Sequence, residues 1–238
     1  MVRSMLLGAP VREAVVAGHT GDLETASRLV VDPDPAVRAA ALGALSRMGA
    51  LETDTLTGAM TDPDAAVRRR ACALAGRALG TPEPDAPDHT PGTVALDHDD
   101  HAGHTDGADS TVGQVLDALL RTLASDADPA VVESAAWSLG EAGSKCGPRV
   151  VEALELVTRS HLDPLCREAA VAALGAIGNR VALDSVLGAL KDKPAIRRRA
   201  TIALAAFDDP RVDVALRRCL QDRDWQVRQA AEDLLGRA

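Results

Sequence analysis

Aromatic residues are nearly absent from this chain, which has two tryptophans, one phenylalanine and no tyrosine among its 238 residues. Large rings each bury on the order of 150–250 Å² in a globular core, so their scarcity argues against a conventional enzyme core and favours thin helices rich in alanine and leucine. Long apolar runs are also missing, and none approaches the roughly 20 residues of a membrane span. Arg12 and Glu13 interrupt the apolar stretch near the start, which argues against a secretory signal.

Cysteine motifs and the common catalytic motifs are missing as well. The four cysteines form no C-x-x-C pair and follow no regular spacing, which is typical of structural thiols in a reducing compartment; they are Cys72, Cys146, Cys166 and Cys219. No phosphate-binding loop, G-x-S-x-G or H-E-x-x-H occurs. The net charge is −9, without the basic stripe of a nucleic-acid binder. We therefore predict a cytoplasmic protein with no catalytic residues, no cofactor, and neither nucleic acid nor a membrane as its partner.

The acidity belongs to one segment. Residues 81–110 contain eight Asp and Glu residues and no Lys or Arg, and without those eight charges the rest of the chain carries only −1. The segment also has four prolines and little that could pack, a composition typical of disorder. We predict a disordered linker at 81–110 between an N-terminal part, 1–80, and a C-terminal part, 111–238.

Three histidines in this linker are spaced three residues apart among aspartates: His98, His101 and His104. Imidazole and carboxylate groups together can hold a divalent transition metal. The alternative is a solvated linker, because Gly103 and Gly107 oppose the helix that would align the three rings. We predict no physiological metal and keep these histidines as weak candidates.

What the sequence has in abundance is one phrase, Asp-Pro-x-Val-Arg followed by an Ala/Leu-rich helix, in six copies. The position of Val in the phrase is occupied by Val37, Val67, Val131, Cys166, Ile196 and Val227. These residues are 30, 64, 35, 30 and 31 positions apart, and a period near 30 predicts a stack of helical repeats. The long interval is one period plus the linker, which favours one continuous stack with a looped-out insert.

The phrase describes the start of a helix, here named helix B. Aspartate is a preferred N-cap and proline is tolerated at the first helical position. Apolar or small residues then recur 4, 7, 8 and 11 positions after the Val, which predicts one buried helical face. A helix A precedes each helix B, and 11–17 reads as a half-repeat at the front. The last copy has Glu232 and Asp233 at stacking positions, so we expect a polar C-terminal cap that completes the array as a monomer.

These residues resemble the HEAT-repeat family, in particular its short bacterial form, the PBS-lyase-like repeats. The Asp-Pro turn, the Val-Arg pair and the helix Ala169–Gly175 carry the resemblance, which covers 22–80 and 111–238. It implies an all-α, armadillo-like superhelix, an α-solenoid of about six helix pairs. It also implies a ladder of Asp–Arg contacts along the stack, interrupted beside the insert where Val132 replaces Arg. The arginines of that ladder would be Arg38, Arg68, Arg167, Arg197 and Arg228.

In this family the B helices line the concave surface, and two positions of helix B would face it. The resemblance places a mixed set of charged and large apolar residues there: Arg69, Glu133, Trp137, Glu168, Arg198 and Ile202. Trp and Arg are common interface anchors, so we predict a partner-binding site. The alternative is that Trp137 fills a crevice beside the insert while the arginines are solvated or paired.

We therefore expect a non-catalytic scaffold or adaptor that binds protein partners through its concave surface. Two alternatives stay open: an accessory subunit of a lyase or other protein-modifying enzyme, as in bilin lyases, and metal binding through the insert. The His-Glu pairs with which HEAT-like deoxyhypusine hydroxylases bind iron do not occur here. The aromatic residues on which HEAT-like DNA glycosylases rely are missing as well.

Overall fold

The computed structural model describes residues 8–80, 106–143 and 146–236, and within them the chain forms thirteen α-helices and no strand. The first is α1 (Ala9–Thr20). The A helices are α2 (Leu23–Leu29), α4 (Thr53–Ala59), α6 (Asp106–Ser125), α8 (Pro148–Ser160), α10 (Leu183–Ala189) and α12 (Pro210–Cys219). The B helices are α3 (Pro35–Arg47), α5 (Ala65–Gly80), α7 (Pro129–Glu141), α9 (Pro164–Ile177), α11 (Pro194–Ala203) and α13 (Trp225–Leu235). Short 3-10 turns occur at Arg180–Ala182 and Leu204–Ala206.

The helices form an α-solenoid of six A–B pairs, preceded by α1. Each B helix packs on its own A helix and on the B helix of the next pair, and α1 packs on α3 as the B helices pack on one another. Neighbouring A helices contact each other less extensively. A stack with one closely spaced row curves toward that row, so the B helices lie on the concave side.

Five of the six B helices begin with the predicted aspartate cap. The carboxylates of Asp34, Asp64, Asp128, Asp163 and Asp224 each accept a hydrogen bond, at 2.8–2.9 Å, from the backbone N–H two residues later. This bond satisfies a donor that the helix itself leaves unpaired. The N-cap residue of α11 is Lys193, whose side chain makes no cap hydrogen bond.

Small residues allow the close approach of the B helices. A Cβ added to Gly140 of α7 would lie 2.9 Å from the Cα of Ala173 on α9, closer than real Cβ atoms approach. Gly175 makes the same contact with Ala203 on α11. Alanine, leucine and valine form one apolar cluster that extends from Leu42 to Ala231, so the core continues from repeat to repeat instead of closing around one centre.

The structure moves one predicted boundary. Helix α6 begins at Asp106, inside the segment that composition assigns to the linker, because no proline lies between Pro91 and Pro129 to stop the helix. Helices α5 and α7 on the two sides of the insert pack directly on each other. The candidate histidines His98, His101 and His104 lie outside the described residues. Among the residues that are described, no helix is long and apolar enough to cross a membrane.

Candidate partner-binding site

The arginine ladder runs along the turns between the A and B helices. Arg38 donates from Nε and Nη2 to the two carboxylate oxygens of Asp62 in the next repeat, at 2.8 and 2.7 Å. Its Nη1 donates to the backbone carbonyls of Asp32 and Pro33 in its own turn, at 2.9 and 3.1 Å. One guanidinium thus ties two successive turns together, and such two-point Arg–carboxylate contacts are among the stronger hydrogen bonds in proteins.

We call this Arg–Asp contact between successive turns a rung. The rung recurs along the stack in three further pairs: Arg68–Asp126, Arg167–Asp192 and Arg197–Asp222. The carboxylate belongs to an aspartate two residues before the N-cap residue, or one residue before it at Asp192, and not to the N-cap residue itself. The guanidinium hydrogen bond lowers the pKa of Asp62, Asp126, Asp192 and Asp222 below the ordinary aspartate value. Within the described part of the chain, Arg228 in α13 donates to the backbone carbonyls of Asp222 and Arg223 and to no carboxylate.

One rung is missing among the described residues, at the position where Val132 replaces arginine, as the sequence predicts. The rung that crosses the insert, Arg68–Asp126, is present. The gap lies one repeat later, where both partners are replaced: Val132 stands at the arginine position and His161 at the aspartate position. His161 keeps one local role of the aspartate, since its Nδ1 accepts a hydrogen bond from the N–H of Asp163 at 3.1 Å.

A groove of about 470 Å³ lies on the concave side between α5 and α7. It is lined by three of the predicted residues, Arg69, Glu133 and Trp137, together with Arg77 and Glu141. The indole of Trp137 is 39% exposed, so it forms part of the surface instead of a closed crevice. Within the described part of the chain, neither arginine has an ion-pair partner, nor does either glutamate.

A second group of side chains joins this groove to the later repeats. The guanidinium of Arg199 on α11 lies 5.3 Å from the centre of the Trp137 ring on α7. It also reaches Glu168 on the intervening helix α9, at 3.5 Å. A cation over an indole face is attracted by the ring quadrupole, so the contact holds the tryptophan, which remains 39% exposed. The arginine therefore links three successive B helices.

The beginning of the concave surface is basic. Burial and the nearby positive charges of Arg77 and Arg47 lower the pKa of Arg70. Its guanidinium lies against the backbone of Gly43, in space that a side chain at that position would occupy. In the described residues no carboxylate pairs with Arg70, so a positive field remains beside the groove.

The predicted site residues fall into three groups. Arg69, Glu133 and Trp137 share the groove, and Glu168 contributes to the arginine contact beside it. The structure does not place Arg198 and Ile202 in the groove; Arg198 is half-buried and Ile202 is 41% exposed on α11.

Sequence reasoning missed Arg77, Glu141 and Arg199. The first two lie ten positions after the repeat valine, on the same open side, and that spacing could have found them. Nothing in the sequence pattern predicts that Arg199 contacts Trp137, which lies two repeats earlier.

The fold and this surface define a class, the helical-repeat solenoids that present extended concave surfaces. The family model described as HEAT repeats matches residues 12–77 and 151–236, which is more than half of the sequence. The chain therefore belongs to the HEAT-repeat family. No sequence among curated proteins matches it.

Solved structures share the architecture at low sequence identity. YibA of E. coli is 16% identical, with a TM-score of 0.63 over 98% of this chain and 77% of its own. A designed armadillo repeat protein is also 16% identical, with a TM-score of 0.57 over 90% of this chain and 98% of its own. The CpcE–CpcF complex of phycocyanin lyase from Nostoc sp. PCC7120 is 20% identical, with a TM-score of 0.53 over 90% of this chain and 76% of that one. At these identities the likeness shows the fold.

Proposed function

We propose that this protein is a cytoplasmic, monomeric, non-catalytic scaffold or adaptor that binds a partner protein through its concave face. The observation that carries the proposal is the groove between α5 and α7, where an exposed tryptophan stands among charges of both signs that have no ion-pair partner in the described residues. Tryptophan and arginine supply most interface hot spots, and charges without an internal partner are free to meet charges of another protein. The site comprises Arg69, Glu133, Trp137, Glu168, Arg198 and Ile202, extended by Arg77 and Glu141.

Trp137 is held in place before any partner binds, and this supports the same proposal. Binding costs less when the anchor side chain is already ordered, because less rotamer entropy is lost on association. Arg199 and Glu168 order the indole from the later repeats. The partner then gains contact with a fixed ring and with Arg69 and Glu133 on the two helices that form the groove.

The experiment is affinity capture from a native lysate with three variants: Trp137→Ala, Arg198→Glu and Trp225→Ala. Trp225 is the matched control, since it is 64% exposed at the start of α13 and lies outside the groove. We expect a defined partner with the wild type and with Trp225→Ala, and its loss with Trp137→Ala. With the purified partner, Trp137→Ala should weaken binding by about 2 kcal/mol or more, roughly thirtyfold.

Recovery of the same partner at the same level from Trp137→Ala and the wild type would contradict the concave site. Circular dichroism of each variant must first show unchanged helix content. A turnover of any substrate that one side-chain change abolishes would contradict the non-catalytic part of the proposal. The alternative role as a lyase accessory subunit is tested in the same capture, because it requires a chromophore or a modified protein among the bound material.

A further inference from the structure

The missing rung leaves backbone acceptors without their usual donor. In the intact turns, the arginine Nη1 donates to two carbonyls of its own turn; for Arg68 they are those of Asp62 and Pro63, at 2.9 and 3.1 Å. The equivalent carbonyls in the third turn belong to Asp126 and Ala127. With Val132 at the arginine position, these two accept no hydrogen bond from the described residues. A carbonyl that loses its partner retains its affinity for a donor.

An apolar groove of about 730 Å³ opens beside these carbonyls, between α6 and α8. Its floor includes Leu123 and Val157, both buried, and Leu156, which is 60% exposed. Leu162 at its rim is 96% exposed. Asp126, Ala127, His161 and Asp163 supply the polar part of the lining. The site therefore combines apolar surface with acceptors and a carboxylate that serves as a helix cap.

The charge of this groove distinguishes it from its equivalents along the stack. Three other grooves between neighbouring A helices each contain cations of their own. Those cations are Arg68 and Arg121 between α4 and α6, Arg159 and Lys191 between α8 and α10, and Arg211 and Arg218 between α10 and α12. The groove between α6 and α8 is lined by two aspartates and a histidine, and by no Lys or Arg. Arg68 in the preceding turn already pairs with Asp126. Within the described residues, Asp163 is therefore the carboxylate of this lining that has no ion-pair partner. A cation supplied by a binding partner would complement it.

We propose that this groove is a second protein-binding site, independent of the concave face. It takes a partner segment that places a leucine-sized side chain on the apolar floor and an arginine or lysine at the missing rung. The basic head donates to the carbonyls of Asp126 and Ala127 and lies near Asp163, as the ladder arginine does in other repeats. The ring of His161 adds a donor: with Nδ1 accepting from the N–H of Asp163, the neutral imidazole carries its proton on Nε2.

The test uses fluorescence anisotropy with a labelled, alanine-based helical peptide that carries two leucines four residues apart and flanking arginines. A companion peptide has glutamate in place of each arginine. We expect the arginine peptide to bind the full-length protein at least about tenfold more tightly than the glutamate peptide. The double variant Val132→Arg with His161→Asp restores the rung from within, so it should weaken the arginine peptide by at least about tenfold.

Leu156→Ala provides a second variant that does not depend on the new rung, because its side chain is already exposed and its loss spares the core. It should weaken the arginine peptide severalfold. Val214→Ala, at an exposed position in the groove between α10 and α12, is the matched control and should bind as the wild type.

Trp137→Ala should also bind as the wild type, which separates this site from the concave one. Equal binding of the two peptides, no binding by the wild type, or undiminished binding by both Leu156→Ala and the double variant would overturn the proposal.

Discussion

The rung between Arg68 and Asp126 is the contact whose removal best measures what the ladder contributes. It joins the repeats on either side of the insert, and the side chains are only 17% and 6% exposed. The carboxylate oxygens of Asp126 accept from Arg68 Nε and Nη2 at 2.7 and 2.9 Å, and one of them also accepts from the N–H of Asp128 at 2.9 Å. Asp126→Asn keeps the shape, removes the charge and leaves the guanidinium without its counter-ion.

The loss of stability expected for Asp126→Asn lies between two known limits. Removing one partner of a fully buried ion pair costs about 3–5 kcal/mol, whereas exposed pairs contribute about 0–1 kcal/mol. For the burial observed here we expect Asp126→Asn to lower the free energy of unfolding by about 2–3 kcal/mol. Urea denaturation followed by circular dichroism measures it. A cycle with Arg68→Met and the double variant should give a coupling energy of about 2 kcal/mol.

The rung between Arg68 and Asp126 also predicts how the stability of the protein depends on pH. Hydrogen bonding from Arg68 lowers the pKa of Asp126 in the folded state below the value of about 3.9 in an unfolded chain. The unfolded state therefore binds the proton more readily, so the contribution to stability is fully present above about pH 4 and declines as the pH falls through the folded pKa. The difference between wild type and Asp126→Asn should stay constant near neutrality and shrink in acid.

Asp213→Asn on α12 is the matched control, since it removes the carboxylate from the exposed pair with Arg217 and should not change stability measurably. A coupling energy near zero for Arg68 and Asp126 would refute the reasoning, because the rung would then behave as a surface pair. A difference that widens in acid would refute the pKa argument.

Three further predictions concern packing, capping and thiol chemistry. Gly140→Ala should lower the free energy of unfolding by about 1–3 kcal/mol, because the methyl group meets the backbone of the next B helix, whereas Gly58→Ala, with open space around it, should raise it slightly. Asp128→Ala removes an N-cap and should cost about 1 kcal/mol, while Lys193→Ala, at a position without a cap bond, should cost almost nothing in the same urea titrations. Burial raises the pKa of Cys72 to about 12, so Ellman's reagent at about pH 8 should leave this thiol unmodified until the protein unfolds; rapid modification of the native protein would contradict its burial.

The repeat phrase predicts most of the fold because each of its residues acts locally. Aspartate caps a helix start within two residues, proline fits the first turn, and the buried face follows from the helical period. The solenoid and the family prediction are confirmed on this basis. Composition does not fix the start of α6, which lies at Asp106, because an acidic, glycine-containing segment without proline can still enter a helix.

The candidate surface is predictable only in part, for a physical reason. Positions such as Arg69, Glu133 and Trp137 meet because neighbouring B helices stack in register, and register can be counted along the chain. The contact between Arg199 and Trp137 depends on the rise and twist from one repeat to the next, summed over two repeats. The ladder aspartate also escaped notice, since its partner lies 24 to 58 residues away along the chain.

Helix α7 departs from the repeat phrase at two positions. Val132 and Trp137 are five positions apart, which corresponds to about 140° around a helix, so Val132 is buried while Trp137 is exposed on the concave face. Val132 removes the arginine of the rung beside the groove between α6 and α8. Trp137 adds an aromatic ring to the concave face. Val132 belongs to the apolar core cluster, so the core continues through α7 although the rung is lost, and Trp137 changes only the exposed face. The two proposed sites should therefore be separable by mutation: Trp137→Ala should affect only the concave partner, and the restored rung only the basic peptide.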